Sequence, residues 1–256
     1  MKTSFTITVV ILALAPVSSR AANLVLNSGY ETNTGGIPNS WIYSRGDGPA
    51  TLQSSPSSPF ININAFGASA ILMTDGSTTA ITPNLFQDFA TQTGGILNIA
   101  WDFRLNTMTG NPWAVQIDDS VTAQTRFNID SAGNFVVENP SGATTTIMPL
   151  AANIWYQVQL ALDLTNKTLS GAITSQTLVS TPIGNQQWRV TTGSSNINRV
   201  LIADEPLTAA GIAGNILFDN FAADRTAFAA PAVVPEPAAL LLLGLGGMFA
   251  AAKRRR

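Results

Sequence analysis

Two stretches of this chain change side-chain character at every residue, and they confine the body to a β-fold. In Ile96–Leu105, Leu97, Ile99, Trp101, Phe103 and Leu105 alternate with Asn98, Ala100, Asp102 and Arg104. In Trp155–Leu164, Tyr156, Val158, Leu160 and Leu162 alternate with Gln157, Gln159, Ala161 and Asp163. A period of two sends successive side chains to opposite faces, so each stretch is expected to be a half-buried antiparallel strand. Between Asn23 and Ala223 the rest reads as short strands broken by Gly, Pro, Asn and Ser, with no helical period. Trp113–Asp118, Thr125–Ile129, Asn134–Glu138, Thr168–Thr174, Asn198–Ala203 and Ile216–Ala223 are further strand candidates. Asp130–Asn134 and Leu164–Lys167 supply the turn chemistry between neighbours. More than ten such strands with one polar face predict an all-β, antiparallel two-sheet sandwich of the jelly-roll kind. No solenoid or propeller period is present.

The two ends differ from this body. Lys2, the apolar run Phe5 to Ala15, Pro16 and Ser19-Arg20-Ala21 form a signal peptide over residues 1–21, with signal peptidase expected to cut after Ala21. The other end holds Pro235-Glu236-Pro237, an uncharged run from Ala238 to Ala252, and Lys253, Arg254, Arg255 and Arg256. The prolines fix φ and remove donors, holding that segment extended. As a helix the apolar run spans roughly 22 Å against a bilayer core of about 30 Å. Such a span suits a transient membrane anchor, with the four cations cytoplasmic and everything before Val234 across the inner membrane. The domain plan is thus a β-sandwich over 22–226, an Ala/Pro linker over 227–233 that stands the body off the membrane, and a terminal segment over 234–256.

The order Pro-Glu-Pro, apolar helix, Arg-rich tail resembles the PEP-CTERM sorting signal. The matching residues are Pro235, Glu236, Pro237 and Lys253 to Arg256. The resemblance covers only the last 23 residues and implies recognition and cleavage by a membrane exosortase. It also implies a Gram-negative bacterium that makes exopolysaccharide, and delivery to the cell envelope or extracellular matrix. The plain alternative is a tail-anchoring helix preceded by a chance Pro-Glu-Pro. A GPI signal would end in its apolar stretch, without terminal cations.

Composition narrows the function. The chain carries 13 Lys+Arg and 15 Asp+Glu, and removing both ends leaves seven cations against fourteen acids, a body near −7. That balance argues against nucleic acid or anionic lipid as partner. Cysteine is absent, so the core alone must hold the fold. Histidine is also absent, which removes the commonest general base, the Ser–His and Cys–His pairs and nearly all zinc sites.

A second resemblance lies in Asn23-Leu24-Val25-Leu26-Asn27-Ser28-Gly29-Tyr30-Glu31, followed by Pro38 and Trp41. It is similar to the opening strand of carbohydrate-binding jelly rolls, with Tyr30 where those have Phe. Leu217-Phe218-Asp219-Asn220-Phe221 matches their closing strand, and the Trp155 strand resembles the laminin-G and concanavalin-like sandwich pattern. The similar modules hold a structural Ca²⁺ between terminal carboxylates, so Glu31 and Asp219 are the candidate pair, the plain alternative being that both cap turns. No other cofactor is implied.

Catalysis has little to stand on. Asp118-Asp119 and Asp204-Glu205 are adjacent acids, and strand neighbours point apart. The Glu-x-Asp-x-x-Glu pattern of concanavalin-like glycosidases is missing. Lys167, the one lysine of the body, sits in a turn and is a poor partner for a Ser–Lys dyad. Among the tryptophans, Trp41, Trp101, Trp155 and Trp188 read as core. Trp113, after Gly110-Asn111-Pro112, is the candidate glycan contact, or else a cap on the end of the sandwich. The expectation is a non-enzymatic exported matrix protein associated with exopolysaccharide or biofilm. The alternatives are a lectin-like carbohydrate-binding module and, third, a polysaccharide hydrolase or lyase.

Overall fold

The computed structural model describes residues 23–26, 29–34, 37–44, 50–53, 57–63, 69–75, 84–106, 113–204 and 214–233. Residues 1–21, expected as a signal peptide, and 234–256, expected as the sorting segment, lie outside the described residues. Within them regular structure is entirely β, and no helix is long and apolar enough to cross a membrane.

In chain order the strands are β1 (Asn33–Thr34), β2 (Ile37–Pro38), β3 (Ile42–Ser44), β4 (Ala50–Gln53) and β5 (Ala70–Asp75). Then come β6 (Asn84–Gln92), β7 (Ile96–Leu105), β8 (Trp113–Asp118), β9 (Ala123–Ile129), β10 (Asn134–Glu138) and β11 (Thr144–Pro149). The remainder are β12 (Trp155–Asp163), β13 (Thr168–Ser175), β14 (Ser180–Gln187), β15 (Ile197–Asp204) and β16 (Gly214–Asp224). Sheet I runs β11-β10-β9-β8-β15-β6-β3 and sheet II runs β14-β13-β12-β7-β16-β5-β4, all pairs antiparallel. The two sheets pack face to face, which is the predicted sandwich.

The alternation in β7 and β12 explains the packing. Leu97, Ile99, Trp101, Phe103 and Leu105 of β7 join Tyr156, Val158, Leu160 and Leu162 of β12 in one core with Val115, Phe127 and Phe135 of sheet I. Its aromatic centre is a relay in which Tyr30 contacts Trp41, Trp41 contacts Phe221, and Phe221 stacks on Trp101 at 5.6 Å. Trp188 is buried as expected and donates its Nε1–H to the Thr168 carbonyl.

Two expectations differ from the structure. The opening stretch resembling a strand is turn and irregular chain where it is described, between Asn23 and Thr32. It still lies along the last strand, because Leu24 N–H donates to the Ala223 carbonyl and Asn23 Oδ1 accepts from Ala223 N–H. Residues 227–233, expected as a free linker, instead lie on the body. Ile61 N–H donates to the Ala232 carbonyl, and Val233 forms an antiparallel bridge with Phe60. Backbone groups of an uncharged Ala/Pro segment find partners as readily as any others, which composition does not reveal.

Candidate functional site

The outer face of sheet II carries the polar half of the alternation. Cross-strand pairing sets it out in rows, since paired residues share a face. One row is Thr174, Gln157, Asp102 and Asp219; the next is Ala172, Gln159, Ala100 and Ala222; the third is Ser170, Ala161, Asn98 and Asp224.

The first row is buried. Asp102 and Asp219 are 0% and 1% exposed, covered by residues 57–63. Asp102 Oδ2 accepts from Ser58 Oγ at 2.6 Å and Asn220 Nδ2 at 2.7 Å, and its Oδ1 accepts from Gln157 Nε2 at 2.7 Å. Asp219 accepts from Ser58 N–H at 2.8 Å and Asn220 N–H at 2.7 Å. A bulge between Asp219 and Ala222 makes this possible: Asn220 takes φ 52°, a left-handed conformation that asparagine tolerates, and turns its amide onto Asp102. Burial pushes the Asp102 carboxyl up to about 7, opposed by its three side-chain hydrogen bonds. Asp219 is also raised, first by burial and then by the charge of Asp102.

Glu31 and Asp219, the predicted calcium pair, are near enough for the Glu31 charge to raise Asp219. Glu31 itself is exposed, and its Oε1 accepts the Ser69 N–H at 3.1 Å. The two residues, 188 positions apart in the chain, thus lie within range of each other's charge. Calcium takes six to eight oxygens. Among the described residues no group of three or more acidic side chains is arranged to hold a metal.

The second and third rows set small residues, Ala100, Ala161, Ser170, Ala172 and Ala222, beside Gln159, Asn98 and Asp224. Ala100 and Ala222 are covered by Ile63 and Phe228. Beyond Phe228 the trough stays open as a groove of about 260 Å³, floored by Ala161 and Ala172 and walled by Asn98, Gln159, Ala227 and Phe228. Gly171, at its edge, allows the close approach of β13 to β12: a Cβ there would stand 2.0 Å from the Gln159 carbonyl oxygen.

Trp113 requires a correction. Its ring is 1% exposed and lies in the main core, bordering a void of about 10 Å³ with Trp101, Phe103 and Phe127. As the first residue of β8 it shares the inward face with Val115 and Ile117, so strand alternation buries it, and no ring face lies open. Lys167 is likewise committed, donating from Nζ to the Thr192 and Gly193 carbonyls. Asp118 faces Arg199 while Asp119 caps the following turn through Val121 and Thr122 N–H, so the doublet splits as expected. The side chain of Asp204, and Glu205 altogether, lie outside the described residues. On sheet I the charges close on each other: Glu138 between Arg126 and Arg189, Asp88 bidentate on Arg199. Sequence reasoning missed Ser58, Gln157 and Asn220 as partners of the buried carboxylates. Only the polar phase of β12 and the Asp-Asn pair of β16 hinted at them.

Comparison with known proteins gives two findings. Residues 233–256 match the PEP-CTERM protein-sorting motif. The chain therefore ends in a sorting signal of secreted proteins that anchors the C-terminus in a membrane. The body shares its fold with carbohydrate-active β-sandwiches. A GH131 β-glucanase catalytic domain from Podospora anserina superposes with a TM-score of 0.54 at 12% identity, over 82% of this chain and 94% of that one. The metal-free lectin I-B4 from Griffonia simplicifolia gives 0.52 at 9%, over 76% and 97%. A sialidase gives 0.52 at 12%, over 72% of this chain, which spans only 17% of that protein's length. At these identities the likeness is one of fold. No curated protein matches the sequence.

Proposed function

We propose that this is a non-enzymatic, exported protein of a Gram-negative cell envelope or extracellular matrix, processed by signal peptidase and an exosortase, whose sandwich contacts exopolysaccharide. The sorting-motif match supports the route, and the kinship in fold with a lectin and a β-glucanase supports a saccharide as the ligand. The observation that carries the contact is the open groove over Ala161 and Ala172. It combines a shallow apolar floor with the amide oxygens of Asn98 and Gln159, whose nitrogens donate to the Asp224 and Ala229 carbonyls, and such a mixture suits an uncharged sugar ring. The non-enzymatic reading is supported by the state of the facing carboxylates: Asp102 and Asp219 are covered and hydrogen-bonded, away from any substrate in that groove.

Retention on matrix-polysaccharide affinity gels tests the contact. Ala172→Trp fills the groove floor and is expected to lower retention at least tenfold while the fold survives. Retention equal to wild type moves the contact elsewhere, and release of reducing sugar from the polysaccharide would make the protein an enzyme. For the route, Glu236→Ala is expected to leave full-length chain in the membrane.

A further inference from the structure

We infer that the strap formed by residues 227–233 restrains the processing of the sorting signal that follows it. This rests on the exosortase reading above. While the strap is docked the chain leaves the body only at Val233, and cleavage proceeds through the undocked strap.

The contacts are specific. Asn62 Nδ2 and Gln159 Nε2 both donate to the Ala229 carbonyl, at 3.0 and 2.9 Å, and Ile61 N–H donates to that of Ala232 at 2.8 Å. Phe228 packs on Ile63, Ala100 and Ala222, and Val233 packs on the cluster of Phe60, Ala70, Trp155 and Leu217. The sorting motif match begins at residue 233, so docking ends where the signal starts.

Chain reach turns this into a constraint. At most about 3.6 Å per residue, three residues put Glu236 within about 11 Å of Val233. An enzyme that takes Pro235-Glu236-Pro237 as its substrate at a membrane then meets the body beside its site. With the strap released, the free tether runs from Thr226 and reaches roughly 36 Å over ten residues. The docked form is held by neutral hydrogen bonds and a few apolar side chains, and Ala227, Ala229 and Ala230 remain exposed. Such a contact is reversible, and processing slows by the fraction of molecules in which the strap is free.

The test uses the full-length chain in an exosortase-bearing host, following full-length and processed forms by intact mass over time. A six-residue Gly/Ser spacer inserted between Val233 and Val234 leaves the docked contacts in place yet frees the motif. Asn62→Ala removes one bond onto the strap, with its melting midpoint checked against wild type. Both are expected to be processed several-fold faster than wild type. A spacer variant processed at the wild-type rate, or more slowly, overturns the restraint. Failure of the sorting reading looks different: wild type is then never cleaved, or Glu236→Ala is cleaved as wild type is.

Discussion

Asp102 and Asp219 stand opposite one another on β7 and β16, and a single residue, Ser58, bonds to both, through its Oγ and its N–H. The fold thus holds two carboxyls in its interior and uses them to fasten residues 57–63 across sheet II.

That arrangement sets a pH dependence. The folded Asp102 carboxyl lies near 7, against about 3.9 in an unfolded chain. The folded state therefore binds the proton more tightly. The stability this contributes is complete below about pH 4 and is lost as pH rises towards about 7. Asp219 is shifted in the same sense, and Asp118, raised by burial to about 6, adds to it. The melting midpoint is expected to fall between pH 5 and pH 8, and Asp102→Asn to flatten that slope. A midpoint that rises over this range contradicts the assignment. Asp163, held low by Asn166, acts with the opposite sign only in more acid solution.

Trp113→Ala is expected to act on stability. Truncating a buried tryptophan costs about 3–5 kcal/mol, read as a lowered urea midpoint. Retention of the folded fraction on polysaccharide should stay at the wild-type level. Loss of retention in a variant of unchanged stability would return the ring to the surface.

Gly171→Ala probes the join between β12 and β13. Its Cβ would meet the Gln159 carbonyl at 2.0 Å, a backbone atom that cannot swing aside. Overpacking of this kind costs about 1–3 kcal/mol, and the upper end is expected. Equal denaturation midpoints for variant and wild type would show that the strands separate freely.

Calcium is proposed to join Glu31 to Asp219, one member of the buried pair. Calorimetry should then show a higher melting midpoint with Ca²⁺ than with chelator, and Glu31→Gln should abolish the difference. An identical transition in both buffers means that hydrogen bonds alone hold these carboxylates.

The sequence alone determined the strands whose two faces differ. β7, β8 and β10 fall where alternation and turn residues place them, and β12, β13, β15 and β16 within a few residues. It also determined the sorting signal, a linear device read by an enzyme rather than by the fold. Edge strands such as β14, with Pro182 and Gly184, carry no such pattern, because edges gain little from burial and tolerate poor β-formers. Tertiary structure decided the rest. Whether Trp113 faces water, whether Asp102 meets Asp219, and whether Ala229 hangs free or accepts two hydrogen bonds depend on which distant segments arrive at one place. Local sequence sets the direction of a side chain along its strand; what lies in that direction is fixed only when the sheets close and residues 57–63 and the strap settle across them.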